Sequence, residues 1–244
     1  MSTKKSKALN FIKKYPIFKK LYFFYNIYIR NYQFYFNGSQ FGEDNKIIKM
    51  FKKDYKGRYL DLGCFHPTRS NNTLKLYKNG WQGMNIDLNP LTIDLFNFSR
   101  PKDINICAAI SNKETKKKLY FLGDLDSKNT LDLNHKKWLS KHFRINNKDF
   151  KIKNIKTKKL INILKKHKFY KIDFMNIDIE GHEFEALKSL DFKKFDIKVI
   201  CIEILNYDKF TNTKKKRLIN FFKKNKYFLA GKSKINYIFK KKNQ

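Results

Sequence analysis

Acidic and imidazole side chains able to move a proton gather in one short stretch, where Asp178 lies near the end of the strand Phe174 to Ile179 and Glu180, His182 and Glu183 follow it. His182 is the candidate general base. It lies just beyond a core strand, with carboxylates on either side to orient the ring and stabilise an imidazolium as it forms. Glu180 is the rival base, and Asp178 reads as an orienting or ligand-side carboxylate. The same residues also admit a plain structural reading, in which Gly181-His182 makes a turn and caps the next helix. Asp178, Glu180 and Glu203 could together hold a magnesium ion, but acids at strand ends are common without metal, and none is expected here.

A second acidic pair sits earlier, in the stretch from Tyr59 to Pro90. Tyr59-Leu60-Asp61-Leu62 is a short apolar strand that breaks at Gly63. A polar loop follows (His66, Pro67, Thr68, Ser70, Asn71, Asn72, Thr73), then a short helical pattern to Gly80 and a second strand, Gly83 to Ile86, ending on Asp87. Strand, loop, helix, strand and acid form the first unit of a nucleotide-binding α/β sheet. Asp87 follows Asp61 by 26 residues, near the roughly 20 expected for an acid that accepts ribose hydroxyls. A glycine after the strand allows close backbone approach to a ligand. The further glycines that admit a pyrophosphate to a helix N-terminus are absent, since Cys64, Phe65, His66 and Pro67 follow Gly63. That pattern argues against NAD and FAD. It leaves a nucleoside ligand without phosphates, such as S-adenosylmethionine, or a generic α/β sheet with no such ligand.

The elements that would position these groups follow from apolar periodicity. Helices are expected from Asn45 into the first strand (capped by Asp44), over Leu91–Phe98 up to Pro101, after an N-cap at Thr157, over Glu183–Leu190 and over Leu218–Phe222. Further strands are expected at Ile104–Ile110, Leu119–Leu122, Ile152–Ile155, Phe174–Ile179 and Lys198–Ile204, with a terminal hairpin of Tyr227–Ala230 and Ile235–Phe239. Asp124 to Asn147 is polar and poorly periodic, and reads as an insertion over the site. Trp81 and Tyr77 read as core. His66 suits either ligand contact or loop stabilisation, while His135, His142 and His167 lie in lysine-rich stretches that imply solvation.

The chain resembles the FkbM-type methyltransferases. The resemblance runs through Asp61-Leu-Gly-Cys-Phe-His-Pro67, Asn72-Thr73, Tyr77, Gly80-Trp81-x-Gly83 and Asn85-Ile-Asp-Leu-Asn-Pro90. It resumes at Arg100-Pro-Lys-Asp-Ile-Asn105, Asn176 to Phe192 and Val199 to Ile204, so it covers about Tyr59 to Ile204. Asn71 departs from the family's usual serine, a place Ser70 could fill. The resemblance implies a class I fold: a seven-stranded, mostly parallel Rossmann-like sheet with helices on both faces, in the order 3-2-1-4-5-7-6 with the last strand antiparallel. It implies S-adenosylmethionine as cofactor, with Asp61, Gly63, Phe65, Asn72, Thr73, Asp87 and Ala109 around it. It also implies O-methyl transfer to a sugar or glycan hydroxyl, with His182, Glu180 and Asp178 as the catalytic set.

Composition bounds the remainder. The 244 residues suit one domain (46–244) with a basic, aromatic helical appendage (1–45) that contains no acid before Glu43. That appendage reads as a helix packed across the domain with its lysines outward, or as a peripheral membrane contact. The net charge of +34 would ordinarily suggest nucleic acid. Here lysine is scattered, and abundant Lys, Asn, Ile, Phe and Tyr follow the bias of an AT-rich genome, so no nucleic-acid partner is expected. A methyltransferase acting on nucleic acid and a non-catalytic nucleoside-binding module are the alternatives. Cys64, Cys107 and Cys201 read as buried free thiols. The N-terminus lacks an apolar signal core, and a cytoplasmic setting is expected.

Overall fold

β1 (Arg58–Leu62) is buried along nearly its whole length, as a central strand covered on both faces must be. It pairs in parallel with β2 (Gln82–Asp87) on one side and β7 (Lys171–Ile177) on the other. β2 continues to β3 (Ile104–Cys107), and β7 to β8 (Asp196–Glu203), both parallel. β10 (Asn236–Lys241) then runs antiparallel between β8 and β9 (Tyr227–Ser233). The resulting order, β3-β2-β1-β7-β8-β10-β9, is the expected class I arrangement. The computed structural model describes residues 9–242 other than 10, 13, 37 and 206–208.

Side chains alternate across the sheet with period two. Leu60, Leu62, Met84, Ile86, Met175 and Ile177 build the larger core on one face, while Tyr59, Trp81, Phe174, Val199 and Cys201 build the other. Trp81 stands edge-on to Phe51 and Tyr55, so it is core.

Several local expectations are corrected. Ile104–Ile110 is two strands: Ala108 donates its amide to the Asp87 carbonyl (2.8 Å), and the chain then leaves the main sheet. Beyond it, β4 (Ala109–Ser111), β5 (Lys116–Phe121) and β6 (Lys151–Lys159) form a second sheet in the order β4-β6-β5. Thr157 lies inside β6, and its hydroxyl donates to the Lys113 carbonyl (2.7 Å), so it caps nothing. Asp44 sits within the helix Glu43–Ile48, whose N-cap is Gly42 in a left-handed conformation. The polar insertion contains a regular helix, Leu133–His142, which Asp132 caps by accepting from the amides of Asn134 and His135. Glu183–Leu187 is shorter than expected and Lys209–Lys224 longer. Cys107 is exposed at the end of β3, unlike Cys64 and Cys201.

The N-terminal segment forms a helix (Pro16–Phe24), a π-helical stretch (Tyr25–Arg30) and a short helix (Tyr32–Phe36). Leu9, Phe23 and Ile27 pack on Leu91 and Leu95 of the helix Pro90–Ser99. Lys19 meets Asp94 at 2.6 Å. Residues 1–8 of the appendage lie outside the described residues.

Candidate active site

The carboxyl ends of β1, β2 and β7 open on a cavity of about 1100 Å³, counting its mouth. Gly63 sets the distance between its walls. The residue has φ +74°, and a Cβ there would lie 1.7 Å from the Asp178 carbonyl oxygen. What this glycine admits is therefore the backbone after β7 rather than a ligand. The Asp178 amide donates to the Leu62 carbonyl (2.9 Å) and the Gly63 amide to that of Ile86 (2.8 Å), which stitches the three strand ends together.

Asp87 closes β2 with its carboxylate at the cavity. One oxygen accepts from the Asn89 amide (2.7 Å), the other from the Phe65 amide (3.1 Å). Each keeps a lone pair for a further donor. Burial pushes its pKa up to about 6, against the pull of those two amides. Asn89 caps the following helix through the Leu91 amide (3.0 Å), and its Nδ2 is buried at the cavity without a partner.

Below the loop 64–73 lies a buried polar network that the sequence did not single out. Asp61 accepts from Asn176 Nδ2 (2.9 Å), the Thr73 hydroxyl (2.8 Å) and Asn71 Nδ2 (3.2 Å). Burial raises the Asp61 carboxyl, and these donors and the Arg100 charge oppose it. Arg100, 1% exposed, reaches the Thr73 hydroxyl (2.8 Å), Asn71 Oδ1 (2.9 Å) and the Pro67 carbonyl (2.5 Å). Tyr59 links the same guanidinium to Asp103, which in turn accepts from the Gly83 amide (2.8 Å). Asn71 is thus the hub of the loop, while Ser70 is exposed and does not take its place. The signal was present in Arg100 and Asn176, both in stretches that carry the family resemblance, but hydrogen bonds across 29 or 115 residues leave no local pattern. Arg100→Ala should cost about 3–5 kcal/mol in denaturant unfolding, because it strands buried acceptors and removes the one cation beside Asp61. An unchanged midpoint would show that the network contributes little.

His66 belongs to this loop and not to the cavity. Its Nδ1 accepts from the amides of Thr68 (3.2 Å) and Arg69 (3.1 Å), so Nε2 carries the proton and donates to Asn26 Oδ1 (2.9 Å). Burial lowers its pKa to about 3. The neutral ring ties the loop to the π-helical stretch of the N-terminal segment.

At the β7 end, His182 occupies the N-cap position of Glu183–Leu187 without capping it by its side chain. Its Nε2 meets Ser111 Oγ at 3.0 Å instead. Burial first, and then Lys117, lower its pKa to about 4, so the ring is neutral at physiological pH. Glu180 has φ +53°, and its carbonyl accepts from the Thr130 hydroxyl (2.6 Å). Its carboxyl meets His135 Nε2 at 2.8 Å. Burial and the Glu183 charge raise Glu180 to about 8, while burial lowers His135 to about 4. Both shifts favour a neutral hydrogen bond, with the proton on the carboxyl, over an ion pair. His135 is buried, contrary to the expectation of a solvated side chain. Gly181 (φ +94°) allows that approach, since a Cβ would stand 2.6 Å from the His135 Cβ. Desolvation, together with Glu180 and Glu183, raises the Asp178 carboxyl. Asp178 is nevertheless open to the cavity, and solvent reaching it screens that push.

Of the residues singled out from the sequence, Asp61, Gly63, Phe65, Asn72, Asp87, Ala109, Asp178, Glu180 and His182 all line this one cavity. Thr73 does not; it is wholly buried and holds Asp61 in place. Among the described residues no three His, Cys, Asp or Glu side chains come together as metal ligands.

The cavity walls suit S-adenosylmethionine. Asp61, Asp87, Asp126 and Asp178 contribute carboxyl groups to them, and no lysine or arginine among the described residues does, in a chain of net charge +34. Such a lining favours a cationic ligand. Asp87 would hold the ribose, Ile86, Leu88 and Ile110 would cover the base, and the orphaned Asn89 amide offers a further donor. Sheet order and strand-end cavity define a class I nucleoside-dependent transferase fold. The family model described as methyltransferase FkbM domain matches residues 50–229. The chain belongs to that family, and it is an S-adenosylmethionine-dependent methyltransferase. No curated protein matches the chain.

Proposed function

We propose that the protein transfers a methyl group to a hydroxyl of a sugar or glycan, with His182 as general base. The observation that supports this reading is the placement of a neutral histidine and an acid-lined nucleoside pocket in one cavity. S-adenosylmethionine, when bound, supplies a methyl carried on a sulfonium. The chain's own residues position the acceptor and take its proton. Ser111 Oγ lies 3.3 Å from Asn112 Oδ1 and donates to it, which leaves a lone pair to accept from His182 Nε2–H. Nδ1 is then the basic nitrogen. Glu180, holding its own proton toward His135, serves the turn's shape rather than the abstraction. Asp178 orients the cofactor side. Because no lysine or arginine among the described residues lines the cavity, an uncharged sugar suits the reacting end of the acceptor better than an anionic group.

In this reading residues 46–244 form the catalytic unit and 1–45 an appendage, in keeping with a family match that begins at residue 50. A cytoplasmic setting, where the cofactor is made, fits as well. No described helix is long and apolar enough to cross a membrane.

The test is calorimetric titration with S-adenosylmethionine and S-adenosylhomocysteine, followed by a sugar acceptor screen. Asp87→Ala should weaken both ligands about 100-fold, the loss of two hydrogen bonds to a charged group. With the free carboxyl at about 6, protonation as pH falls takes up one of the lone pairs needed to accept both ribose hydroxyls. Wild-type affinity should therefore drop up to about tenfold per unit below pH 6 and stay level above it, while Asp87→Asn gives a weak, flat profile. Wild-type affinity that ignores pH between 4 and 8 would remove Asp87 from the ribose site, and turnover confined to nucleic acid would overturn the sugar reading.

A further inference from the structure

We infer that the N-terminal helices dock on an anionic bilayer surface, lying in its plane. Most of the large apolar side chains that stand exposed among the described residues fall between Phe11 and Phe36. Ile17, Leu21 and Phe24 are 68%, 60% and 51% exposed and follow one another at i, i+4 and i+7, one stripe of a helix. Phe18 and Tyr25 make a parallel stripe, also exposed. The opposite side of the same helices, Phe23 and Ile27, is the side that packs on Leu91 and Leu95. Among the described residues the segment is thus packed on one face and open on the other. A continuous apolar patch of that kind marks an interaction surface.

Its chemistry selects the occupant. Tyr15, Tyr25, Tyr28 and Tyr32 place apolar rings with polar tips on the exposed side, the residue type that settles at headgroup depth. Lys14 and Lys20 stand exposed beside them, and no acid precedes Glu43. Rings interleaved with lysines and free of carboxylates match an anionic lipid surface. A second copy would bring lysine against lysine. Among the described residues, the lysines elsewhere lack such a companion set of exposed rings, so genome bias alone does not produce this face. The inference stands independently of which acceptor is methylated.

Co-sedimentation of the full chain with vesicles tests it. The protein should pellet with phosphatidylcholine vesicles containing phosphatidylglycerol, and stay in solution with phosphatidylcholine alone. Ile17→Ser/Leu21→Ser/Phe24→Ser leaves charge unchanged and should weaken partitioning at least about tenfold. Phe228→Ser/Leu229→Ser, which trims exposed apolar side chains on β9, should leave it as in the wild type. Unchanged near-ultraviolet dichroism and S-adenosylmethionine affinity would show that the triple variant is folded. Wild-type protein that ignores anionic vesicles at low salt overturns the inference, as does equal binding by the triple variant. A dimer seen by light scattering and broken by the triple variant, with no vesicle binding, would give the face to a second copy instead.

Discussion

Replacing His182 by alanine should lower kcat for methyl transfer by about 10²–10⁴, the range for loss of a positioned general base. The affinity for S-adenosylmethionine should stay within a factor of a few. The residue is 5% exposed and its ring bonds to Ser111 rather than to Asp87, the proposed ribose acceptor. Its pKa of about 4 keeps the ring unprotonated through the physiological range. With S-adenosylmethionine saturating, so that the Asp87 titration is not limiting, the acid limb of kcat/KM for the acceptor therefore lies below pH 5, and activity should be level from there toward neutrality. Glu180→Gln separates the two candidates. It keeps a hydrogen-bonding group beside His135 and should cost less than about tenfold, whereas a base at that position would lose as much as His182→Ala does. If Glu180→Gln abolishes turnover and His182→Ala spares it, the roles are reversed.

Gly63→Ala should be the most damaging single methyl group in the chain. The left-handed backbone at φ +74° costs a non-glycine residue about 1–2 kcal/mol, and the new Cβ would overlap the Asp178 carbonyl, a backbone atom with no rotamer to escape into. Relief requires β1 and β7 to part at the end where they hold the cavity. The combined loss should reach about 4 kcal/mol in denaturant unfolding, with no measurable cofactor binding in whatever remains folded. Gly42→Ala is the matched control: its φ is +77° and a Cβ there meets nothing, so it should show the conformational cost alone. Equal losses in the two variants would mean that the contact with Asp178 relaxes freely.

The contrast between those glycines shows how far the sequence could be read. Strand β1, its terminal Gly63 and the acid closing β2 are local, periodic features, and they lie where the structure has its cavity at the strand ends. The sheet order came from the family resemblance, since parallel pairings such as Leu60 with Met175 join residues too distant for any window of periodicity. Ile104–Ile110 was misread for a related reason. Seven residues of which only Asn105 is polar hide the point at which Ala108 departs from the main sheet, where its amide bonds to the carbonyl at the end of β2. His135 was taken for a surface residue on the evidence of its lysine neighbours. Its burial depends on Gly181, more than forty positions away, leaving room for it. The helix around it went unrecognised because most of its residues are polar, with Leu139 and His135 alone wholly buried. Thr73 was assigned to the cofactor when it supports the carboxylate of Asp61, a distinction that spacing along a chain does not carry.

Cys107 has a practical consequence. The chain holds three thiols, two of them sealed in the core, and the third exposed at the tip of β3 with its sulfur 3.7 Å from the carbonyl of Leu88, itself a wall residue of the cavity. A maleimide dye will therefore mark one atom at the rim of the nucleoside pocket in the natural sequence, with no cysteine to remove and none to add. Because burial and the neighbouring Asp87 hold that thiol's pKa above its usual value, coupling will be slow at neutral pH and faster in mildly alkaline buffer. Ligand entry beside the dye then becomes visible as an optical signal in a single mixing experiment.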